Sequence, residues 1–267
     1  MTSKNGFWEA KRILLICNPS IKVQETFEFF NSIDSFGFDS KIAVESIPAP
    51  GRPRFPVLVP PSELPLRKMT SKEGVAAMIH ALAHIEFNAI NLGLDAVYRF
   101  QDMPKQYYYD WLFVANDEAK HFLLLNDHLN TLGYQYGSFN AHNSLWHMAL
   151  KTESDCLHRM ALVPRLLEAR GLDVTPSLLE KFAKIGDNKA CEILRIIQRE
   201  EIKHVEIGNY WYKFLCDLKN LDYVDTFKAL LNTHAPNTIK PPINTTLRKK
   251  AGFSDQEIDF LMATIGK

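Results

Sequence analysis

Between about residues 71 and 218, apolar residues recur every three or four positions, the spacing that gathers them on one face of an α-helix. Four long segments carry the pattern. The first opens at Ser71, a natural N-cap, with Gly74 near the first turn. Its stripe runs through Ala76, Ile79, Ala83, Glu86, Ile90, Gly93, Val97 and Phe100, and ends at about Gln101 before Asp102-Met-Pro104. The second aligns Trp111, Val114, Glu118, His121, Leu125, Leu129 and Leu132, and stops at Gly133. Tyr134 to Asn143 reads as a loop. A third segment runs from about Ser144 to Arg170 on Trp146, Ala149, Glu153, Cys156, Met160 and Val163. It is expected to kink at Pro164 and to break at Gly171, after which Thr175-Pro176 caps a short further helix. Gly186-Asp187 then turns the chain into the fourth, about Asn188 to Leu218, with Ala190, Leu194, Ile197, Glu201, His204, Gly208, Trp211 and Leu215 in line. The pattern predicts an all-α fold whose centre, residues 71–218, is an antiparallel four-helix bundle.

The flanks have a different texture. Residues 1–47 read as two short helices around a turn at Gly37, and Ile13 to Cys17 as a buried helix turn rather than a signal-peptide core. Residues 48–65 hold Pro48, Pro50, Pro53, Pro56, Pro60, Pro61 and Pro65, half of the 14 prolines, which favours an extended arm. Val57, Leu58 and Val59 suit an arm lying along the bundle; a docking peptide for a partner is the other reading. Residues 1–70 thus form a wrapping segment. Residues 219–267 form a tail packed on the bundle, ending in a short helix capped by Ser254 and Glu257.

Composition adds mainly exclusions. Lys plus Arg and Asp plus Glu are each 31, so no net charge marks the chain for nucleic acid or an anionic membrane. No uninterrupted apolar run approaches the roughly 18 residues of a membrane span. Cys17, Cys156, Cys191 and Cys216 form no paired spacing, which suits reduced thiols in the cytoplasm and argues against a structural zinc site.

The glutamates inside the apolar stripes carry the chemistry. Unpaired charge is costly in an apolar core, and a bound cation is the simplest compensation. Glu118/His121 and Glu201/His204 are both Glu-x-x-His, which offers a carboxylate and an imidazole from one helix face. Alone the motif is weak, since chance gives roughly half a match in a chain of this composition. The upstream partners strengthen it: Glu86 precedes Glu118 by 32 positions, and Glu168 precedes Glu201 by 33. With turns near Asp102 and Gly186, the glutamates of each hairpin stand level, about 24 Å from the first turn at about 1.5 Å per residue. One Glu from each of two helices and Glu-x-x-His from the other two is the donor set of di-metal bundles. Glu153 rivals Glu168 for its place. Asp117 and Glu200, each next to a motif glutamate, are candidate acceptors for the second imidazole nitrogen, with solvent exposure as the alternative. His80, His84 and His147 read as surface residues or as supports behind the ligands. Gly93 and Gly208 either open a pocket above the site or allow close helix packing.

At these residues the chain resembles the ferritin-like di-iron carboxylate superfamily. More closely it is similar to an uncharacterised bacterial family of ferritin-like proteins, a domain of unknown function. The likeness runs from Pro50-Gly-Arg-Pro53 through Ala83-His-Ile-Glu86, Asp110-Trp111 and Glu118-Ala-Lys-His-Phe122. It continues through Leu167-Glu-Ala-Arg170 to Thr175-Pro176, His204-Val205 and Ala251-Gly-Phe253. Glu168-Ala-Arg170 also resembles the third-helix ligand of the di-iron tRNA hydroxylases, which favours Glu168 over Glu153. The threonine that bacterial multicomponent monooxygenases place one turn later is Leu172 here. The resemblance implies two iron ions, with manganese as the other metal that suits these donors, and oxygen chemistry on a small or medium organic substrate. Electrons would come from a separate reductase, since no flavin or nicotinamide fingerprint is present. A non-catalytic metal-binding or ferroxidase-type protein is the alternative expectation; the long flanking segments favour an enzyme that encloses a substrate.

Overall fold

The structure is a computed structural model that describes residues 4–265. Its contacts fall into two units, one ending at Leu150 and one beginning at Lys151. Apart from a two-residue parallel pairing of β1 (Lys4–Asn5) with β2 (Phe36–Gly37), the regular elements among the described residues are helical.

The first unit contains α1 (Gly6–Leu14), α2 (Pro19–Asn31), α3 (Lys72–Arg99) and α4 (Lys105–Thr131). It closes on α5 (Ser144–Lys151), whose last residue opens the second unit. Helix α3 starts where the sequence predicts: the Ser71 hydroxyl accepts from the Gly74 N–H at 3.1 Å. Helix α4 ends where Gly133 takes φ +82°, a left-handed conformation that glycine adopts without strain. The two run antiparallel, because Glu86 meets His121 while Gly93, seven residues on, lies against Trp111 and Ala115. Ala76, Ile79, Ala83, Ile90 and Val97 are fully buried, as their stripe requires. By length and mean hydropathy α3 is apolar enough to cross a membrane. It is nonetheless a core helix with Glu86, Asn91, Asp95 and Arg99 buried along it.

A second stripe on α3 went unread in the sequence. His80, His84, Asn88, Asn91, Asp95 and Arg99 follow one another at helical spacing and all are buried. At about 100° per residue, Glu86 lies almost opposite the middle of this row. The row faces the N-terminal segment and the 134–143 loop. Asn91 accepts from the buried Lys22 ammonium, which also donates to the carbonyls of Leu14 (2.9 Å) and Gly51 (2.7 Å). Arg99 pairs with Asp95 at 2.8 Å and reaches the Glu45 carbonyl at 3.3 Å. Burial pushes the Lys22 ammonium down to about 7. The proline-rich arm is pinned differently from expectation. Val59 N–H and the Val57 carbonyl bond Ala141 at 2.9 and 3.0 Å, yet Val57 is exposed rather than packed, because backbone pairing with the loop turns its side chain outward.

The second unit contains α6 (Cys156–Leu162), a π-helical turn (Val163–Glu168), α7 (Ala169–Lys184) and α8 (Asn188–Leu218). Helices α9 (Tyr223–His234), α10 (Thr245–Lys250) and α11 (Asp255–Ile265) follow. Two expectations are corrected here, and the kink at Pro164 takes a specific form. The third segment is not continuous: it breaks before Asp155, whose carboxylate accepts from the N–H groups of Leu157 (2.7 Å) and His158 (3.4 Å) and so starts a new helix. The kink at Pro164 is a π-helical turn, a form that accommodates a proline lacking its N–H by loosening the ladder locally. Gly171 does not interrupt the chain. Helix α7 runs through it, because one internal glycine costs only about 1 kcal/mol, well within what packing supplies, and Pro176 lies inside α7 rather than at the start of a separate short helix.

Helices α7 and α8 are antiparallel, with the Cys191 thiol at the Leu179 carbonyl (3.7 Å) near one end and Gly208 against Pro164 near the other. Both stripe glycines serve close packing. A Cβ on Gly208 would collide with the Pro164 ring, and one on Gly93 would lie 3.0 Å from the Ala115 Cβ. Neither opens a pocket.

Candidate metal centre

Glu86 sits mid-way along α3, and Glu118 and His121 share a face of α4 one turn apart, so the antiparallel pair brings the three together. The His121 Nδ1 lies 3.2 Å from a Glu118 oxygen and 3.3 Å from a Glu86 oxygen. One donor atom from each of the three lies within 4.8 Å of the others. Glu118 and His121 are fully buried and Glu86 is 5% exposed. These are hard oxygen donors plus one imidazole on rigid helices, and their chemistry fits a divalent cation.

The electrostatics agree. Burial raises the Glu86 carboxyl well above its ordinary value near 4.5, and repulsion from Glu118 raises it further, while His121 pulls it back. A metal-free site therefore tends to hold a proton, which metal binding displaces. The consequence for stability has a definite sign. Between pH 4.5 and the raised value, the folded state binds more protons at Glu86 than the unfolded state does. Stability contributed by the protonated carboxyl is thus complete below about 4.5 and drains away as pH rises through the folded value. Urea unfolding of the chelator-treated protein at several pH values should show this decline, and Glu86→Gln should flatten it. Parallel pH slopes for the two proteins would rule the assignment out.

In the second unit, His204 is fully buried, Glu201 is 8% exposed, and the His204 Nδ1 lies 3.7 Å from Glu201 on the same helix. Glu168 ends the π-helical turn, half-buried, four residues after the Pro164 that packs against Gly208. Glu153 falls in the turn before α6, half-exposed and off any helix face. Asp117, nearly buried, accepts from Lys120 at 3.1 Å, and Glu200 pairs with Arg199 at 3.2 Å.

His80, His84 and His147, the other histidines singled out from the sequence, divide. His147 is exposed, as expected. His80 and His84 are buried: the His84 Nδ1 is 2.8 Å from the Tyr136 hydroxyl and its Nε2 is 3.1 Å from the His142 carbonyl, while the His80 Nε2 accepts from the Gly137 N–H at 3.0 Å. Burial lowers both imidazoles to about 4, so they are neutral structural groups on the face of α3 away from Glu86.

A family model described as "Protein of unknown function (DUF455)" matches residues 15–259. The chain belongs to this family. An uncharacterized protein of Haemophilus influenzae is 50% identical over 216 residues, which cover 78% of this chain and 75% of the relative. No solved structure matches. The match spans both units, so all six residues expected as ligands lie inside the family's extent.

Proposed function

We propose that this chain is a ferritin-like di-metal protein, an oxidoreductase that uses oxygen on a small or medium organic substrate. The proposed ligands are Glu86, Glu118 and His121 from the α3–α4 pair, and Glu168, Glu201 and His204 from the second unit. The observation that carries the reading is the buried convergence of Glu86 and Glu118 on one His121 nitrogen. The second hairpin supports it by repeating the order Glu…Glu-x-x-His at a spacing of 33 residues against 32. Two iron ions, or manganese in the same donors, would supply the redox chemistry of oxygen activation. The chain's own part is to hold them in a dry setting. Glu86 gives up its proton when the cation enters. Electrons would be delivered by a separate reductase in the cytoplasm.

The test is metal analysis of anaerobically purified protein, followed by oxygen exposure of the ferrous form and a measurement of particle size. About two ions per chain, retained after oxidation in a small particle, is the expected result. A large shell that loads iron far above two per chain and turns it to oxide would replace the enzyme by a ferroxidase. Protein without stoichiometric metal would remove both.

A further inference from the structure

The second unit contains a cavity of about 100 Å³ walled by Leu166, Leu167, Arg170, Asp173, Lys240 and Arg248. Two of these residues, Leu166 and Leu167, directly precede Glu168 on the π-helical turn. Three cations and one carboxylate surround the space, and the carboxylate is already engaged. Asp173 Oδ1 accepts from the Arg248 Nε at 2.9 Å and from the Asn244 N–H at 2.8 Å, and its Oδ2 accepts from the Arg248 Nη2 at 2.7 Å. Arg170 lies 3.7 Å from the same carboxylate and spends its Nη1 and Nη2 on the carbonyls of Lys240, Pro241 and Pro242, which leave its charge uncancelled. The wall therefore carries about two uncompensated positive charges.

Arg248 supplies the second observation. It is 2% exposed, and its Nη1 is buried with no hydrogen-bond acceptor. A buried guanidinium donor left unsatisfied forfeits its hydration without return, so such groups in folded proteins call for an explanation. Arg165 in the same unit also has a buried, unaccepted Nη1, but there the explanation is at hand. Its guanidinium stacks between the rings of Tyr212 at 4.0 Å and Phe227 at 4.1 Å, with Phe253 at 5.0 Å, and those faces take the place of an acceptor. Arg248 has one ring, Phe253, at 5.1 Å.

We infer that this cavity is an oxyanion site that takes a carboxylate or phosphate group. With the Arg248 fork held by Asp173 and the Arg170 fork by backbone carbonyls, the two guanidiniums act mainly through their charge, and Lys240, exposed at the rim, adds a point charge and free donors where the ligand enters. The apolar wall of Leu166 and Leu167 suits a ligand whose anionic end is attached to a carbon chain. If the proposed function holds, the substrate carries this anionic group, bound beside the segment that presents Glu168. Only that step rests on the metal assignment; the anion site stands without it.

Calorimetric titration of the full, chelator-treated chain with inorganic phosphate and with acetate, at constant ionic strength set by chloride, tests the site. One saturable site per chain for at least one of the two anions is expected, and the tighter of the two names the group. Lys240→Glu, at an exposed position, should weaken that binding at least tenfold without moving the melting temperature. Arg248→Lys, which keeps the charge facing Asp173 and removes Nη1, should weaken it as well. Heats no different from chloride, or equal affinity in Lys240→Glu, would overturn the proposal. Repeating the titration on a chain with Glu118 and His121 replaced by alanine separates the two readings, since anion binding should survive there whatever becomes of the metal.

Discussion

A chain in which both Glu118 and His121 are alanine is expected to hold less than one metal ion, against about two in the unaltered protein. The size of the effect follows from the geometry. These two side chains and Glu86 are the proposed donors of the first unit, and the double change removes two of the three. Glu153→Ala is the control, because Glu153 occupies a half-exposed turn off the helix faces. It should leave the metal content unchanged, whereas Glu168→Ala should lower it. Elemental analysis of the three variants, with circular dichroism to show that the helices persist, checks the result. Wild-type metal content in the double variant would refute the ligand assignment.

The second large effect concerns stability. Arg165 and Glu257 form an ion pair in which both side chains are fully buried. Arg165 also donates from Nε to Asn209 at 2.6 Å, and Glu257 accepts from the Ser254 N–H at 2.8 Å and its hydroxyl at 2.9 Å. Every strong partner of each charge is thus fixed by the fold. Burial lowers the Arg165 guanidinium from its ordinary value, and Glu257 opposes that shift. Removing one partner of such a pair strands a charge, at a cost of about 3–5 kcal/mol. Glu257→Ala should therefore lower the urea midpoint strongly. Arg165→Met combined with Glu257→Leu should cost clearly less than the sum of the single changes, because no charge is then left behind. Additive losses would mean that the two side chains act independently.

Much of the helical frame was legible because its signals are local. Ser71, Gly133 and Asp187 mark ends by hydrogen bonds or conformations within a few residues, and α3, α4 and α8 begin and end within a residue or two of those marks. The Glu86–Glu118–His121 cluster was legible for a related reason: hairpin arithmetic needs only a turn and a rise per residue. What stayed hidden depends on distant partners. Asp155 reads as one more residue in an apolar segment until its capping bonds are seen. Gly208 cannot reveal from sequence whether its missing side chain makes room for a ligand or for Pro164, 44 positions earlier. His80 and His84 look like surface residues because the groups that bury them, Tyr136 and the His142 carbonyl, come from a loop with no periodic signal.

Helix α3 serves two opposite surfaces with one short stretch of chain. Glu86 is committed to α4, while five residues later Asn91 is committed to Lys22 and the N-terminal segment. Side chains are substitutable one at a time, but the phase between these faces is not. Inserting or deleting a single residue between Glu86 and Asn91 would rotate one surface by about 100° against the other and dismantle either the ligand cluster or the N-terminal anchorage. Descendants of this chain can therefore drift in the composition of α3. The residue count between Glu86 and Asn91 is inherited as a fixed quantity, a ruler by which distant relatives can be aligned after their side chains have diverged.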